Sequence, residues 1–150
     1  MILPDFKAFP CTGRIVGIDW GARRTGVAVT DASREFVFTR PVINVGRGAD
    51  LARLISDVVV AENAGAVVFG LPVHSDGTES DTAVDVRRTA SAVAERTGVP
   101  VAFVEENLTS IAAQESMGRV RRADIKSRLD SEAARVILEN AIAIINRMKN

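Results

Sequence analysis

The sequence predicts an α/β protein with a mixed five-stranded sheet and helices on both of its faces. The chain opens with three segments rich in β-branched residues, separated by short glycine-containing breaks, which is typical of antiparallel strands. Two apolar runs then alternate with segments of helical periodicity, which is typical of parallel β-α-β units. A long amphipathic segment closes the chain, and 150 residues favour a single domain.

The three opening strands are predicted to form an antiparallel group. Arg14–Asp19 and Gly26–Thr30 are joined by a tight turn rich in glycine and arginine, so they form a hairpin. Glu35–Val45 is the third strand, and its Pro41 restricts it to a sheet edge or a bulge. The two prolines among residues 1–13 predict a flexible leader in front of a single domain over residues 14–150.

The remaining elements alternate between helix and strand. Asp50–Asn63 has apolar residues at spacings of three and four, and Gly65 is expected to end this helix. Ser80 is expected to cap the second helix, which Gly98 follows. The other predicted elements are buried strands over Ala66–Leu71 and Val99–Val104, helices over Ser80–Thr97, Thr109–Met117 and Leu129–Met148, and a basic connection over Gly118–Arg128.

Composition limits the chemistry that the chain can perform. A single cysteine, Cys11, excludes an intramolecular disulfide and a cysteine zinc cluster, and a single histidine, His74, excludes a histidine-rich metal site. Any bound metal would therefore take oxygen ligands, which favours Mg²⁺ or Mn²⁺. The formal net charge is zero, so an anionic partner would have to be held by local basic patches.

The sequence also predicts where the protein is found. No apolar run approaches the 18 residues or so that span a membrane. Residues 1–12 lack the basic start and long apolar stretch of a secretory signal. We therefore expect a cytoplasmic protein that does not enter a membrane.

Acidic residues occupy three positions that the predicted sheet can bring together. Asp19 ends the first strand, Glu105 and Glu106 end the last strand, and Asp130 stands at the start of the last helix. The carboxyl ends of parallel strands form the usual functional crevice of such sheets. Converging carboxylates repel one another unless cations lie between them, and two cations about 4 Å apart can promote phosphodiester hydrolysis.

Each of these acids also has a structural explanation. Asp19 could be a turn residue ahead of Gly21, because aspartate is common in turns. Glu105 and Glu106 could be solvated side chains at a strand exit. Asp130 follows Ser127 by three residues, which resembles a capping box at the start of a helix.

Two groups of basic residues are candidate contacts for a nucleic acid backbone. Arg23 and Arg24 share the turn that follows Asp19, where arginine can bind phosphate through two hydrogen bonds. The densest basic segment supplies Arg121, Arg122 and Lys126. The alternative is surface ion pairing and ordinary solvation, which contribute little to stability.

Four sequence blocks together resemble one known family, the YqgF/RuvX proteins, which are Holliday-junction-resolvase-like and are also described as nucleases of the 16S rRNA precursor. The blocks are Gly17-Ile18-Asp19-Trp20-Gly21 with Arg24 and Gly26, Val68-Phe69-Gly70-Leu71-Pro72 with Asp76-Gly77-Thr78-Glu79, Glu105-Glu106-Asn107-Leu108-Thr109-Ser110, and Lys126 with Asp130-Ser131-Glu132-Ala133-Ala134.

The resemblance implies an RNase H-like fold and metal-dependent cleavage of structured nucleic acid. By motif, Asp19, Glu106 and Asp130 match the family's acidic metal ligands. The family's Asp-Glu-Arg block reads Glu105-Glu106-Asn107 here, so the charge of the usual arginine is missing.

The expected function is a Mg²⁺- or Mn²⁺-dependent endonuclease that processes the 5′ end of pre-16S rRNA. One alternative is a Holliday junction resolvase, whose two-fold substrate would require a homodimer. A second is a non-catalytic RNA-binding factor of ribosome maturation on the same fold. A third, from another class, is an ATP-binding phosphotransferase of the actin and sugar-kinase type, whose first hairpin carries a similar Asp-x-Gly pattern.

Overall fold

The computed structural model describes residues 1–107 and 122–149, with side chains described for 1–107 and 132–149. Within these residues, five strands and three helices follow one another in the order that the sequence predicts. The predicted helix over Thr109–Met117 lies outside the described residues. The elements are β1 (Ile15–Asp19), β2 (Arg24–Thr30), β3 (Val37–Asn44), α1 (Leu51–Ala61), β4 (Ala66–Val73), α2 (Thr82–Thr97), β5 (Val101–Asn107) and α3 (Arg122–Lys149).

The strands form one mixed sheet in the order β3-β2-β1-β4-β5. The pairs β1–β2 and β2–β3 are antiparallel, whereas β1–β4 and β4–β5 are parallel. This confirms the predicted sheet of three antiparallel strands followed by two parallel ones. Strand β3 lies at the edge, as Pro41 requires, because proline cannot donate a hydrogen bond to a strand ladder.

Two hydrophobic clusters sandwich the sheet. On one face, Val16 and Ile18 of β1 pack with Ile55 of α1 and Val93 of α2. On the other face, Ile15 packs in a cluster that contains the apolar stripe of α3, formed by Ala134, Ile137, Leu138, Ala141 and Ile145. Helices therefore cover both faces, and the period-two alternation of each strand decides which side chains meet α3.

Helix α3 lies unusually close to the sheet because two strands present glycine to it. A Cβ built on Gly17 of β1 would lie 2.4 Å from Cγ of Leu138. A Cβ built on Gly70 of β4 would lie 2.4 Å from Cδ1 of Ile137. Both distances are far below van der Waals contact, so this packing requires the absence of side chains at the two positions.

Several boundaries differ from those predicted. Strand β2 begins at Arg24, and β5 runs through Glu106 to Asn107, so both glutamates lie within the strand. Helix α1 ends before Asn63, whose φ of 53° stops it ahead of Gly65. Helix α3 begins at Arg122, so the part of the predicted connection over 122–128 is helical, contrary to the prediction.

The leader over residues 1–13 is anchored, which differs from the flexible segment that its prolines predict. Leu3, Phe6 and Phe9 are buried in the cluster beneath α3. The N–H of Leu3 donates to the carbonyl of Val101 at 2.8 Å, and the N–H of Val101 donates to the carbonyl of Met1 at 2.9 Å. The leader thus extends the sheet briefly beside β5 and closes one end of the core.

Glu62 at the end of α1 contacts two arginines, Arg14 directly before β1 and Arg40 in β3. Its carboxylate accepts a 2.7 Å hydrogen bond from Nε of Arg40 and lies 3.5 Å from Nη1 of Arg14. The hydrogen bond from Arg40 is the main cause that lowers the pKa of Glu62, against the opposing effect of burial. The stabilisation is therefore present at neutral pH and lost as the pH falls through the lowered pKa.

We expect Glu62→Gln to reduce the free energy of unfolding by about 1 kcal/mol at neutral pH. The variant should also lose less stability than the wild type below about pH 5, because it has no carboxylate to protonate there. Urea unfolding at several pH values measures both effects. Glu95→Gln, at an exposed position of α2, is the matched control, and equal pH profiles for Glu62→Gln and wild type would contradict this role.

No helix within the described residues is both long enough and apolar enough to cross a membrane.

Candidate active site

A cleft of about 230 Å³ opens at the edge of the sheet where β1, β4 and β5 have their carboxyl ends. Its walls combine two carboxylates, one indole and two hydroxyl-bearing residues. The lining residues are Asp19, Trp20, Gly70, Pro72, Ser80, Thr82, Val86 and Glu106. Asp19 and Glu106, two of the acids that the sequence places at strand ends, both line this cleft.

The strand register brings Asp19 and Glu106 to this cleft. Asp19 is the last residue of β1 and follows Ile18, which pairs with Phe69 of β4. Glu106 of β5 pairs with Pro72 of β4. Since alternate residues share a face, both carboxylates lie on the side of the sheet that α3 covers. Gly70 leaves the space between them open, because a Cβ there would lie 3.3 Å from Cγ of Glu106.

Glu106 is half-buried and is held from α3. Nδ2 of Asn140 donates to Oε1 of Glu106 at 3.3 Å. Burial raises the pKa of Glu106, and the hydrogen bond from Asn140 opposes this only in part. The charged form is thus disfavoured in the protein alone, and a cation entering the cleft would stabilise it.

Glu105 is exposed and, by the same alternation, lies on the opposite face of the sheet from Glu106. Glu105 and Glu106 are neighbours in sequence, but only Glu106 lines the cleft.

The turn after Asp19 is fixed by two side chains. The hydroxyl of Thr25 is buried, donates to the carbonyl of Gly21 at 3.2 Å and accepts from the N–H of Gly21 at 3.3 Å. Nε1 of Trp20 donates to the hydroxyl of Thr89 at 3.0 Å, which ties the end of β1 to α2. The residues that follow Asp19 are therefore held in place at the end of β1.

The basic residues Arg23 and Arg24 follow Asp19 closely in sequence, but neither lines the cleft. Arg23 is exposed, and its carbonyl accepts from the N–H of Val45 at 2.8 Å. Arg24 is half-buried and begins β2, where it pairs with Asn44. Both positions are compatible with contact to a polyanion that enters the cleft.

Asp130 lies within α3, contrary to the prediction that it begins the last helix. It is the ninth residue of α3, so the capping-box interpretation is wrong. It lies four residues, or about one helical turn, before Ala134. Ala134 packs near Gly17 of β1. Arg122 and Lys126 also belong to α3; their side chains and that of Asp130, like the whole of Arg121, lie outside the described residues.

The acidic side chains of the loop after β4 form hydrogen bonds within the protein. Asp76 accepts hydrogen bonds from the N–H and hydroxyl of Thr78 at 3.0 and 2.6 Å. Glu79 forms two hydrogen bonds of 2.8 and 2.7 Å with Arg87. The sequence did not single out Ser80 as a cleft residue; it predicted a helix cap there.

The donor set of the cleft fits a divalent cation. Two carboxylates line it. Burial raises the pKa of Glu106, and a bound cation would lower that pKa by stabilising the charged carboxylate. Among the described side chains, no three His, Cys, Asp or Glu residues lie close enough together to hold a metal ion. A third carboxylate would have to come from outside that part of the chain.

A family model described as RuvX, Holliday junction resolvase, matches residues 13–143 of this chain. The chain belongs to the RuvX family. The predicted resemblance is confirmed, and so is the enzyme class of nuclease that the family and its relatives share. Resolvase-like nucleases of this family generally use divalent metal ions.

Curated relatives of this RuvX protein resemble it over most of its length. A protein of Rhodopirellula baltica named "Putative pre-16S rRNA nuclease" is 36% identical over 134 residues, which cover 88% of this chain and 78% of the relative. A protein of Acidiphilium cryptum with the same name is 33% identical over 142 residues, covering 93% of this chain and 90% of the relative.

Solved structures confirm the RNase H-like fold of this RuvX protein. RuvC of T. thermophilus in complex with a Holliday junction substrate has a TM-score of 0.54 at 16% identity, covering 91% of this chain and 96% of RuvC. The fowlpox virus Holliday junction resolvase has a TM-score of 0.51 at 9% identity, covering 86% of this chain and 96% of the resolvase. At such identities the likeness concerns the fold alone.

Proposed function

We propose that this protein is a metal-dependent endonuclease that processes the 5′ end of the 16S rRNA precursor in the cytoplasm. The observation that carries the proposal is the meeting of Asp19 and Glu106 in one cleft at the carboxyl edge of the sheet. RNA is the favoured substrate because the curated relatives with 33–36% identity are named for it.

Asp19, Glu106 and Asp130 would hold Mg²⁺ or Mn²⁺. When bound between carboxylates, such cations activate water for attack on a phosphodiester and stabilise charge on the leaving oxygen. Asp19 and Glu106 supply acidic oxygens from two parallel-paired regions of one sheet, so the sheet sets their separation. Asn140 orients the Glu106 carboxylate through its amide.

A cleavage panel tests this function. Labelled pre-16S rRNA fragments, single-stranded RNA and four-way DNA junctions are incubated with the purified protein in Mg²⁺, in Mn²⁺ or in a chelator. We expect the precursor to be cut near the mature 5′ end only when a divalent metal is present. Cleavage that persists in the chelator, or none in either metal, would contradict the proposal.

The basic residues Arg23, Arg24, Arg121, Arg122 and Lys126 are proposed to bind the nucleic acid backbone. We expect Arg23→Ala to weaken RNA binding to a similar extent for every sequence. Its slope of log K against log[salt] should become shallower by about 0.7–0.9 for each phosphate that the protein no longer neutralises. Arg53→Ala, at an exposed position of α1, is the control. An unchanged slope for Arg23→Ala would exclude Arg23 from the interface.

A second candidate, resolution of Holliday junctions, is favoured by the fold shared with T. thermophilus RuvC. A two-fold junction requires two active sites, so this function requires a homodimer. Paired symmetric nicks in a four-way junction, together with a dimeric mass by light scattering, would support it. Cleavage of the rRNA precursor alone would favour the first candidate.

A further inference from the structure

The hydroxyl of Ser80 is a polar group without a hydrogen-bond partner among the described residues. Its Oγ is buried and forms no hydrogen bond with any described residue. A buried hydroxyl without a partner is destabilising because it gives up its hydrogen bonds to water, so native proteins seldom keep one. Ser80 lies in the wall of the cleft that Asp19 and Glu106 line, where a bound substrate would be its neighbour.

The backbone around Ser80 is fixed by two hydrogen bonds, so the residue is held in the wall of the cleft. The N–H of Ser80 donates to the carbonyl of Pro72 at 3.0 Å, and its carbonyl accepts from the N–H of Ala83 at 3.0 Å. Pro72 pairs with Glu106 in the sheet. One chain of backbone contacts thus links Ser80 to the strand that carries the cleft carboxylate.

Ser80 has no capping role that would occupy its hydroxyl. The residue at the N-cap of α2 is Asp81, and its side chain makes no capping hydrogen bond. The 16-residue helix α2 begins directly after it, and the amino end of a helix favours an anion. The acidic side chains nearby, Asp81 and Asp85, are exposed and do not line the cleft.

We infer that Ser80 is a substrate-binding residue that donates a hydrogen bond to a non-bridging oxygen of the substrate's phosphate backbone. The inference rests on the proposed nuclease function for the nature of the substrate. A phosphate oxygen is an acceptor that carries charge, which suits a hydroxyl donor beside a helix amino end. The hydroxyl that is costly in the protein alone is satisfied when the nucleic acid enters.

Binding measured in chelator tests this role separately from cleavage. Fluorescence anisotropy of labelled pre-16S rRNA fragments and four-way DNA junctions gives Kd for wild type, Ser80→Ala, Ser80→Thr and Ser91→Ala. We expect Ser80→Ala to raise Kd by about tenfold to a hundredfold, the range for a hydrogen bond to a charged group. Ser80→Thr keeps the hydroxyl and should retain most of the affinity. Ser91→Ala, at an exposed position of α2, should bind as the wild type does.

Two further readouts separate this role from a structural one. Ser80→Ala removes an unpartnered hydroxyl, so its Tm should equal or exceed that of the wild type. It removes no charge, so the salt slope of binding should stay unchanged. A Kd within about twofold of the wild type, or a loss of affinity accompanied by a lower Tm, overturns the inference.

The outcomes also distinguish this inference from the proposed function. Wild-type protein that binds nucleic acid but does not cleave it would contradict the nuclease proposal, and the Kd of Ser80→Ala would still decide the role of Ser80. Wild-type protein that binds neither nucleic acid would overturn both.

Discussion

Asp19→Asn and Glu106→Gln are each expected to reduce metal-dependent cleavage by about 10³-fold or more. Each substitution keeps the size of the side chain but removes a charged oxygen from the cleft that the two residues share. The measurement is the single-turnover cleavage rate in saturating Mg²⁺ or Mn²⁺, with thermal unfolding to confirm that each variant folds. For Glu106→Gln we expect a slightly higher Tm, because burial already disfavours the charged carboxylate.

Glu105→Gln is the matched control for this experiment. It makes the same chemical change one residue away, at an exposed position on the other face of the sheet. Its cleavage rate should remain within about twofold of the wild type, since it removes only a distant, screened charge. Equal losses in Glu105→Gln and Glu106→Gln would indicate a general charge effect and not a site at the cleft.

Gly17→Ala is expected to lower the free energy of unfolding by about 2 kcal/mol, and cleavage with it. The new Cβ would lie 2.4 Å from Cγ of Leu138 and 3.1 Å from the carbonyl oxygen of Ala134. A side chain can rotate away, but the helix backbone at Ala134 cannot, so α3 would have to rise from the sheet. That movement displaces the helix that also contains Asp130. Chemical denaturation and cleavage rates measure the two effects.

Gly65→Ala provides the comparison for Gly17→Ala. A Cβ on Gly65 would meet no atom within 4 Å, and Gly65 is exposed. This variant should be as stable as the wild type or slightly more stable, because alanine restricts the unfolded chain. If Gly17→Ala were equally harmless, the close approach of α3 to β1 would not be a requirement of the fold.

Hydrophobic periodicity was sufficient to predict the sheet and two of the helices. Periodicity does not predict the start of α3, because residues 122–128 have little apolar repeat. Arg122 and Lys126 are nevertheless good helix formers by intrinsic propensity. In the leader, two prolines predict a flexible segment, whereas Leu3, Phe6 and Phe9 recur every third residue and are buried together.

The sequence is sufficient to predict that Asp19 and Glu106 lie at one edge of the sheet, but it does not predict which side chains surround them. A continuous apolar strand such as β5 does not reveal which of its two faces meets which helix. Periodicity therefore does not distinguish Glu105 from Glu106, whereas the family resemblance and the strand register both select Glu106. Ser80 is a good capping residue, so the sequence predicts a helix cap there. Only the structure shows that its hydroxyl makes no hydrogen bond with a described residue.

Because Glu105 and Glu106 are adjacent in β5, cleavage activity depends on the correct register between β5 and β4. Side chains alternate along a strand, so a slip of one residue between β5 and β4 would turn Glu106 out of the cleft and bring Glu105 in. A chain misfolded in this way would still place a glutamate carboxylate at the cleft. That carboxylate would not be in position to accept the hydrogen bond that Asn140 donates to Glu106 in the native register. Catalytic activity per molecule would then measure the fraction of refolded protein in the native register, which secondary-structure signals cannot distinguish.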